Sequence, residues 1–304
     1  MTIPIVLDCD PGHDDAIALL LALASPEVEL VGVTTVHGNT SLEQTTRNAL
    51  RILELAGRAD VPVAAGADRP LLRESFAAEY VHGKSGIDGP ALPPAEGRPV
   101  AGHAVDFLAE HLAPGVVLVP TGPLTNVALL LERRPDVRPE RIVLMGGSIG
   151  LGNVTPAAEF NIWADPEAAA RVFTSGIDVT MVGLDVTHKA LLTPDRTDRL
   201  RSAGRVGRTV AELVDFYGMY HRETYGWPGP PVHDAMAVAS VVDPSLLETK
   251  RCHVAVDTES ELCRGRTVVD LYGRTGHAPN ALVAADVDAE RFLDLLEDRI
   301  TRLG

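Results

Sequence analysis

Cysteine is scarce in this 304-residue chain, and its three cysteines, Cys9, Cys252 and Cys263, form no CxxC pair. An odd number of thiols without metal-type spacing argues against a disulfide framework and against a zinc–cysteine site. Reduced, buried thiols are typical of a cytoplasmic protein, and this is the location that we expect. The sequence also has no basic segment before an apolar one at its start, so we expect no signal peptide.

Long hydrophobic runs and positive charge are missing as well. The longest uninterrupted apolar stretch, residues 16–24, is far shorter than the roughly 20 residues that a membrane-spanning helix needs. Lysine and arginine total 27 against 42 aspartate and glutamate residues, which gives a formal net charge of −15. Because phosphate backbones and anionic lipids repel such a surface, we expect neither nucleic acid nor membrane as a partner.

What the sequence does contain is a series of patterns typical of buried strands. Near-continuous runs rich in valine, isoleucine and leucine occur at residues 3–9, 28–36, 115–122, 141–147 and 178–186. Strands that are buried on both faces of a parallel sheet have this composition. Helix signals lie between the runs, such as the capping box of Ser41 and Gln44 and the helix start at Asp165-Pro166.

This alternation predicts an α/β fold with an open, doubly wound, mostly parallel central sheet flanked by helices. The last third is less regular, with a helix near 205–221, another from about Val232, two or three strands between 251 and 287, and a closing helix from about Ala289. No linker interrupts the chain, so we expect one domain over residues 1–304. Ligands of such folds bind beyond the carboxyl ends of the strands, where polar residues recur in this sequence.

Four aspartates, Asp8, Asp10, Asp14 and Asp15, crowd the junction between the first strand and the first helix. A helix N-terminus stabilises a carboxylate, but this effect does not account for four of them. Carboxylates this close either have raised pKa values or bind a cation. With oxygen ligands and no metal-type cysteine spacing, the cation is expected to be Ca²⁺ or Mg²⁺.

A "DxD" at the end of a first strand also occurs in phosphatases of the haloacid-dehalogenase type, where the first aspartate attacks phosphorus. Those enzymes expect threonine or valine two residues after the second aspartate, and this chain has Gly12 there. A magnesium-dependent phosphatase with Asp8 as nucleophile is therefore an alternative. It would need a phosphate-binding lysine, and the only lysines, Lys84, Lys189 and Lys250, lie in no such motif.

Six motifs in the same order resemble the inosine–uridine nucleoside hydrolase family over nearly the whole chain. They are "DCDPGHDDAIALLLA", "VHGNTS", "TGPLTNVA", "LMGG", "GNVTPAAEFNIWADPEAA" and "VHDAMAVA". The resemblance implies a single α/β domain that hydrolyses the N-glycosidic bond of ribonucleosides to ribose and free base with the help of Ca²⁺. The first and fifth motifs look most similar to pyrimidine-preferring bacterial members. A purine-preferring or broad hydrolase and a non-catalytic nucleoside binder remain as alternatives.

The resemblance also implies roles for individual residues. The calcium ligands would be Asp10, Asp15, the backbone carbonyl of Thr125 and Asp234, and Asp10 would also act as the general base. The remaining aspartate, Asp8, is expected to orient other site residues. The ribose contacts implied by the family are Asp14, Asn39, Met145, Asn153, Glu159 and Asn161.

The base-binding side of the site is less determined by the motifs. The resemblance places His233 beside the leaving base and His82 on a glycine-rich loop that closes over the substrate. Aromatic residues gather at 217–231, and we favour His221 and Tyr225 as contacts to the base, although packing on the sheet explains such residues equally well. The family also implies a homodimer or a homotetramer.

Overall fold

The computed structural model describes residues 2–304 and shows a central sheet with helices on both faces. The strands of this described part are β1 (Ile3–Cys9), β2 (Val28–Thr35), β3 (Val63–Ala65), β4 (Val117–Pro120), β5 (Arg141–Met145), β6 (Val179–Val182), β7 (Leu247–Val256), β8 (Thr267–Asp270) and β9 (Ala281–Val287). Their order in the sheet is β3-β2-β1-β4-β5-β6-β9-β7-β8.

In sheet order, the strands from β3 to β9 are parallel, and β7 pairs antiparallel with both β9 and β8. The chain moves outward from β1 through β2 and β3, and then returns to the other side of β1 to add β4, β5 and β6. This confirms the predicted doubly wound, mostly parallel fold. The strand order reverses between β1 and β4, and ligands of open α/β sheets bind at the carboxyl ends of the strands at such a point.

The helices cover both faces of the sheet and alternate with the strands along most of the chain. They are α1 (His13–Ala24), α2 (Leu42–Leu55), α3 (Glu79–His82), α4 (Ala104–His111), α5 (Thr125–Arg133), α6 (Phe160–Ala164), α7 (Pro166–Phe173), α8 (Leu184–Thr187), α9 (Pro194–Arg201), α10 (Gly204–Tyr225), α11 (His233–Val242) and α12 (Ala289–Thr301). No helix within residues 2–304 combines the length and the apolar character that crossing a bilayer requires.

Two hydrophobic layers bury the sheet, and β1 contributes to both of them. Ile5 and Leu7 face the layer formed with α1, α10, α11 and α12, whereas Val6 faces the layer formed with α4, α5 and α7. This is the alternation expected of a strand between two layers of helices. Burial on both faces explains why the sequence of β1 is an almost unbroken apolar run.

The strand predicted at 178–186 is shorter in the structure, because β6 ends at Val182 and α8 follows at once. Gly183 makes this turn possible: a β-carbon there would lie 2.7 Å from the backbone carbonyl oxygen of Gly147. The capping box at Ser41 is only half formed. Its hydroxyl accepts a hydrogen bond from the backbone N–H of Gln44, but the side chain of Gln44 bonds to Asn48 instead of returning to Ser41.

Candidate active site

A pocket opens at the carboxyl ends of β1, β2, β4 and β5, beside the point where the strand order reverses. Its volume is about 620 Å³ with the space that opens to solvent included. In the described part of the chain, no lysine or arginine lines it. Most of the predicted site residues do line it: Asp14, Asn39, His82, Met145, Asn153, Glu159, Asn161, His221, Tyr225, His233 and Asp234.

Four aspartates gather at the bottom of this pocket. Carboxylate oxygens of Asp14, Asp15 and Asp234 lie within 4.8 Å of one another. Asp14 and Asp15 belong to the first turn of α1, and Asp234 belongs to the first turn of α11, which packs directly against α1. Asp10 follows β1 and is completely buried next to Asp15. The packing of α1 on α11 therefore joins carboxylates from the two ends of the chain.

Asp10 is held through only one of its carboxylate oxygens. The backbone N–H of Asn39 donates to Oδ2 over 2.6 Å, whereas Oδ1 is buried without a hydrogen-bond partner within residues 2–304. A β-carbon at Gly122 would lie 2.5 Å from Oδ1, so glycine allows the loop after β4 to approach the carboxylate. A buried carboxylate oxygen without a partner is costly, and it needs a proton donor or a cation that the protein itself does not provide.

Asp15 is the best-anchored member of the group. Its Oδ2 accepts hydrogen bonds from the backbone N–H of Gly12 over 3.0 Å and from the side-chain amide of Asn39 over 3.1 Å. Its Oδ1 accepts a hydrogen bond from the hydroxyl of Thr121 over 2.8 Å. These contacts connect Asp15 to the loops that follow β1, β2 and β4, and so fix its orientation.

Burial raises the pKa values of all four carboxyl groups, and repulsion between carboxylates adds to this rise for Asp10, Asp14 and Asp234. Burial, followed by repulsion from Asp15, raises the pKa of Asp10 well above its ordinary value and that of Asp14 to about 8. Burial raises the pKa of Asp15, and burial followed by repulsion from Asp14 raises the pKa of Asp234 well above its ordinary value. A bound cation would stabilise the ionised forms that this environment disfavours.

The donor set fits a hard divalent cation. The atoms available are carboxylate oxygens, including the unpartnered Oδ1 of Asp10, and such oxygens are the ligands of Ca²⁺ and Mg²⁺. The one thiol nearby, Cys9, is directed elsewhere, because its Sγ donates to the backbone carbonyl of Thr34 over 3.7 Å. Of the predicted carboxylate ligands, Asp15 and Asp234 lie within 4.8 Å of each other together with Asp14, and Asp10 is buried beside Asp15.

Thr125, the predicted carbonyl ligand, is buried and does not line the pocket. It is the first residue of α5, so its carbonyl oxygen points along the helix, away from the pocket end, and takes part in the helical hydrogen bonds. Its hydroxyl donates to Asp165 over 2.7 Å and lies 3.2 Å from Nε2 of His37. Thr121 lines the pocket, and its hydroxyl donates to Asp15. Its carbonyl accepts one hydrogen bond from Asn161 and keeps a second lone pair, so Thr121 is a second candidate for the carbonyl ligand.

Glu159 forms part of the polar wall of the pocket. It caps α6 by accepting hydrogen bonds from the backbone N–H groups of Asn161 over 2.9 Å and of Ile162 over 3.2 Å. It also accepts a hydrogen bond from the backbone N–H of Gly147 over 2.9 Å. Burial raises the pKa of Glu159 to about 7, and these three donors limit the rise because they stabilise the carboxylate.

Two asparagines complete the polar wall. The side-chain amide of Asn161 donates to the backbone carbonyls of Thr121 over 2.7 Å and of Met145 over 3.1 Å. Oδ1 of Asn153 accepts a hydrogen bond from the backbone N–H of Phe160 over 3.0 Å. Both amides are thus held by the backbone at the edge of the pocket, with the mixture of donors and acceptors that sugar hydroxyls need.

Imidazole and phenol rings form another part of the pocket lining. His82, His221 and Tyr225 are in this wall as predicted, and they are accompanied by Tyr80, His188, Tyr217 and Tyr220. Two explanations were given for the aromatic segment 217–231, contact with a base and packing within the fold, and each one fits some of its residues. Trp227 packs on Tyr225 with ring centroids 4.5 Å apart and is not part of the wall, whereas Tyr220 and Tyr225 face the pocket.

The histidines of this wall have lowered pKa values and are therefore neutral near pH 7. Burial is the first cause for each of them. It lowers the pKa of His188 and of His221 to about 4, and it lowers that of His82 and of His233 well below the ordinary value. Neutral imidazoles offer one donor and one acceptor nitrogen each, so they can hydrogen-bond to a nucleobase.

Asp8 and His13 belong to the motifs, but the contacts of their side chains connect elements of the fold. Oδ1 of Asp8 accepts hydrogen bonds from the hydroxyl of Thr34 over 2.6 Å and from the side chain of Asn126 over 2.8 Å. Asp8 therefore connects β2 and α5, and no bond to another aspartate is present within residues 2–304. The ring of His13 bonds to the carbonyl of Asp88 over 2.8 Å and stacks on His82.

Outside the aromatic segment 217–231, three pocket residues with polar side chains were not predicted as site residues from the sequence: Tyr80, His188 and Thr121. His188 follows β6 within six residues, and Thr121 follows β4 directly, so their positions after strands of a parallel sheet were an available signal. Tyr80 lies on the short helix α3, and residues 66–78 separate this helix from β3, so no strand end directs it to the pocket. Only the three-dimensional structure places Tyr80 here.

Comparison with known proteins agrees with this arrangement. A model of the family described as "Inosine-uridine preferring nucleoside hydrolase" matches residues 5–294. The curated pyrimidine-specific ribonucleoside hydrolases RihA of Shewanella sp. (strain ANA-3) and of Escherichia coli O139:H28 (strain E24377A / ETEC) are each 52% identical to this chain. The alignments cover 99% of this chain with 96% of the Shewanella protein and 99% of the E. coli protein.

A solved structure adds an independent comparison of the fold. The purine-preferring ribonucleoside hydrolase from Gardnerella vaginalis superposes with a TM-score of 0.93 at 38% sequence identity, covering 99% of this chain and 98% of that one. The family match, the two curated relatives and this superposition each extend over almost the whole chain. The chain therefore belongs to the inosine-uridine preferring nucleoside hydrolase family.

Proposed function

We propose that this protein hydrolyses the N-glycosidic bond of ribonucleosides, with a preference for pyrimidine nucleosides such as uridine and cytidine. The observation that carries the proposal is the group of buried aspartates below a pocket whose walls differ in character. One wall offers Asn153, Glu159 and Asn161 to sugar hydroxyls, and the other offers aromatic rings and neutral imidazoles to a base. The products would be ribose and the free base.

Ca²⁺ is the cofactor that we propose for this site. Asp10, Asp15 and Asp234 would hold it, with Asp14 nearby and the backbone carbonyl of Thr125 or of Thr121 as a further ligand. Six to eight oxygen ligands suit Ca²⁺, and Mg²⁺ would need a more regular octahedral set. When bound, such a cation makes water easier to deprotonate and orients hydroxyl groups by Lewis acidity.

Asp10 would act as the general base. Its Oδ2 is occupied by the backbone N–H of Asn39, but Oδ1 has no partner within residues 2–304 and is free to accept a proton. The attacking water loses this proton while its oxygen forms the bond to the anomeric carbon. Because the hydrogen bond from Asn39 fixes the carboxylate, Oδ1 keeps one direction during the reaction.

Ribose recognition follows from the amide and carboxylate wall. The transition state of glycosidic cleavage resembles an oxocarbenium ion, so a site rich in carboxylates and amide oxygens stabilises it. Glu159, Asn153 and Asn161 are each held by hydrogen bonds to the backbone, which keeps their remaining polar atoms in place for sugar hydroxyls. A site that bonds a hydroxyl rejects an analogue without it, so 2′-deoxyribonucleosides should be poor substrates.

The leaving base would lie between the aromatic rings and His233. A pocket without lysine or arginine in its walls suits an uncharged nucleoside and gives no support to a phosphate ester as substrate. The preference for pyrimidines is supported by the relatives named pyrimidine-specific at 52% identity, compared with 38% for the purine-preferring protein of known structure. Side chains such as Tyr80, Tyr220 and Tyr225 would set this preference.

Release of reducing sugar from uridine, cytidine, inosine and 2′-deoxyuridine, each measured with Ca²⁺ and with a chelator, tests the proposal. We expect turnover of uridine and cytidine that exceeds turnover of inosine, no appreciable turnover of 2′-deoxyuridine, and loss of activity in the chelator. Absence of sugar release from every ribonucleoside would refute the hydrolase. Faster hydrolysis of inosine than of uridine would refute only the base preference.

Assembly and location are further proposals. The resemblance to the family supports a homodimer or homotetramer, and light scattering coupled to gel filtration would decide between these and a monomer. A cytoplasmic location is supported by the three cysteines, all of which are unpaired. Fractionation of cells that produce this protein, followed by detection with an antibody to it, would test that location.

A further inference from the structure

Thr187 forms a buried contact with His233 beside the pocket. The threonine ends α8 and is fully buried, and its hydroxyl oxygen lies 2.7 Å from Nδ1 of His233. Thr187 and His233 are 46 residues apart in the sequence. Within residues 2–304, the hydroxyl of Thr187 has no other hydrogen-bond partner. The contact therefore joins α8 to the start of α11 next to the pocket.

The direction of this hydrogen bond follows from the chemistry of the two groups. A threonine hydroxyl in a helix commonly donates to the carbonyl four residues earlier, which here is that of Gly183. That carbonyl instead accepts the backbone N–H groups of Val186 and Thr187, both over 3.2 Å. Nδ1 of His233 is then the one acceptor that the buried hydroxyl hydrogen can reach. If Nδ1 carried a proton, the hydroxyl hydrogen would be buried without an acceptor.

An unprotonated Nδ1 settles the tautomer of a neutral imidazole. The proton must then be on Nε2, because neutral histidine has one donor nitrogen and one acceptor nitrogen. Nε2 has no hydrogen-bond partner in the described residues, and the ring of His233 lines the pocket. His233 accordingly presents an N–H donor to whatever occupies the base side of the site.

We propose that Thr187 is a positioning residue that fixes His233 as the Nε2–H tautomer, so that His233 donates a hydrogen bond to the leaving base. This inference rests on the proposed nucleoside hydrolysis. As the bond between the anomeric carbon and the base nitrogen breaks, its electron pair moves to the base. A hydrogen bond from Nε2 to a carbonyl oxygen or ring nitrogen of the base stabilises the negative charge that develops there. The proton stays on His233, and the water proton goes to Asp10.

Two substitutions separate the hydroxyl from the shape of the side chain. Thr187→Val keeps the branched shape and removes the hydroxyl, whereas Thr187→Ser keeps the hydroxyl and removes a methyl group. We expect Thr187→Val to lower kcat for uridine roughly tenfold with little change in KM, because the donor acts mainly on the transition state. Thr187→Ser should stay within about twofold of the wild type, because its hydroxyl can still donate to Nδ1.

A substrate with a better leaving group distinguishes a positioning role from a merely structural one. The 4-nitrophenolate of 4-nitrophenyl β-D-ribofuranoside departs without help from a hydrogen-bond donor, so Thr187→Val should hydrolyse this compound almost as fast as the wild type. Equal losses on uridine and on the nitrophenyl riboside would overturn the proposal. Retention of full activity on uridine by Thr187→Val would overturn it as well.

The tautomer can be measured without any activity. In the free wild-type protein labelled with ¹⁵N-histidine, we expect the signal of His233 to show an unprotonated Nδ1 and a protonated Nε2. Thr187→Ser should preserve this pattern and Thr187→Val should weaken it. A protonated Nδ1 in the wild type would refute the inference even if uridine is hydrolysed. If no nucleoside is hydrolysed, the proposed function fails while the spectrum still reports the tautomer.

Discussion

The backbone N–H of Asn39 donates a 2.6 Å hydrogen bond to Oδ2 of Asp10, and among residues 2–304 nothing bonds to Oδ1 of that carboxylate. Asn39 follows β2 and Asp10 follows β1, so two neighbouring parallel strands determine where the proposed general base points. The side-chain amide of Asn39 also contacts Asp15 over 3.1 Å. Asn39 therefore orients both Asp10, the proposed general base, and Asp15, a candidate metal ligand.

Replacing Asp10 by asparagine should remove most of the activity without unfolding the protein. An amide cannot accept the proton of the attacking water, and a positioned general base contributes about 10²–10⁴-fold to a rate. Because burial raises the pKa of Asp10, the neutral amide should be tolerated in the metal-free protein. Initial rates on uridine and thermal melting curves measure the two effects. Asp60→Asn, at an exposed site, is the control, and an active Asp10→Asn variant would exclude Asp10 as the base.

Removing divalent cations should lower both activity and thermal stability. Asp10, Asp14, Asp15 and Asp234 are buried close together, so we expect a cation to bind the folded state and not the unfolded one. At one hundred times its Kd, such a cation stabilises the folded state by about 2.7 kcal/mol. We expect the melting temperature to rise with the Ca²⁺ concentration in the wild type. Asp15→Asn, which removes one charge from the group, should weaken this response. A melting temperature that neither Ca²⁺ nor Mg²⁺ changes would contradict a metal site here.

The position of Asp14 and Asp15 at the carboxyl edge of the sheet could be predicted from the sequence. The apolar run of β1 is buried on both faces, and Pro11-Gly12 ends it, so Asp14 and Asp15 had to begin a helix at the carboxyl edge of the sheet. Nothing local indicates that Asp234 comes close to them. That proximity depends on the packing of α11 against α1, which the sequence supplied only through resemblance to the family.

The choice between Thr125 and Thr121 as a carbonyl ligand shows where such reasoning stops. Both threonines belong to one motif after β4, and both carry a hydroxyl and a carbonyl. The sequence does not show that α5 begins at Thr125. A residue at the start of a helix offers its carbonyl to the helical hydrogen bonds, and this competes with a role as metal ligand. The contact between Thr187 and His233 was equally hidden, because long-range pairing of two side chains leaves no periodic signal.

Glu159 should make stability depend on pH in a predictable direction. Its pKa rises from 4.5 to about 7 on folding, so the folded chain binds this proton more tightly than the unfolded chain. The resulting stabilisation is complete below about pH 4.5 and is lost as the pH rises through about 7. Glu159→Gln lacks the titration and serves as the reference. Relative to this variant, the wild type should become more stable between pH 8 and pH 5, by about 3 kcal/mol at most. Urea unfolding at several pH values measures it, and a difference that stays constant or reverses would be inconsistent with the raised pKa.

Arg196 should contribute to stability and not to activity. Its guanidinium lies on α9 with 10% of the side chain exposed, and it binds three acids of α12, Glu290 over 2.6 Å, Asp294 over 2.9 Å and Glu297. Arg196→Met leaves Glu297 largely buried, although Arg199 still pairs with it over 2.8 Å, and water can solvate the two exposed acids.

The cost of Arg196→Met should therefore be about 1–3 kcal/mol, below the 3–5 kcal/mol typical of breaking a fully buried ion pair. The pair of Arg47 and Glu43 offers a matched control, because both side chains are exposed and Arg47→Met should cost less than about 0.5 kcal/mol. Denaturant unfolding of the three proteins, together with kcat for uridine, tests this. Equal stability losses in the two variants would show that burial of the guanidinium adds nothing, and a fall in kcat for Arg196→Met would mean that the α9–α12 contact reaches the active site.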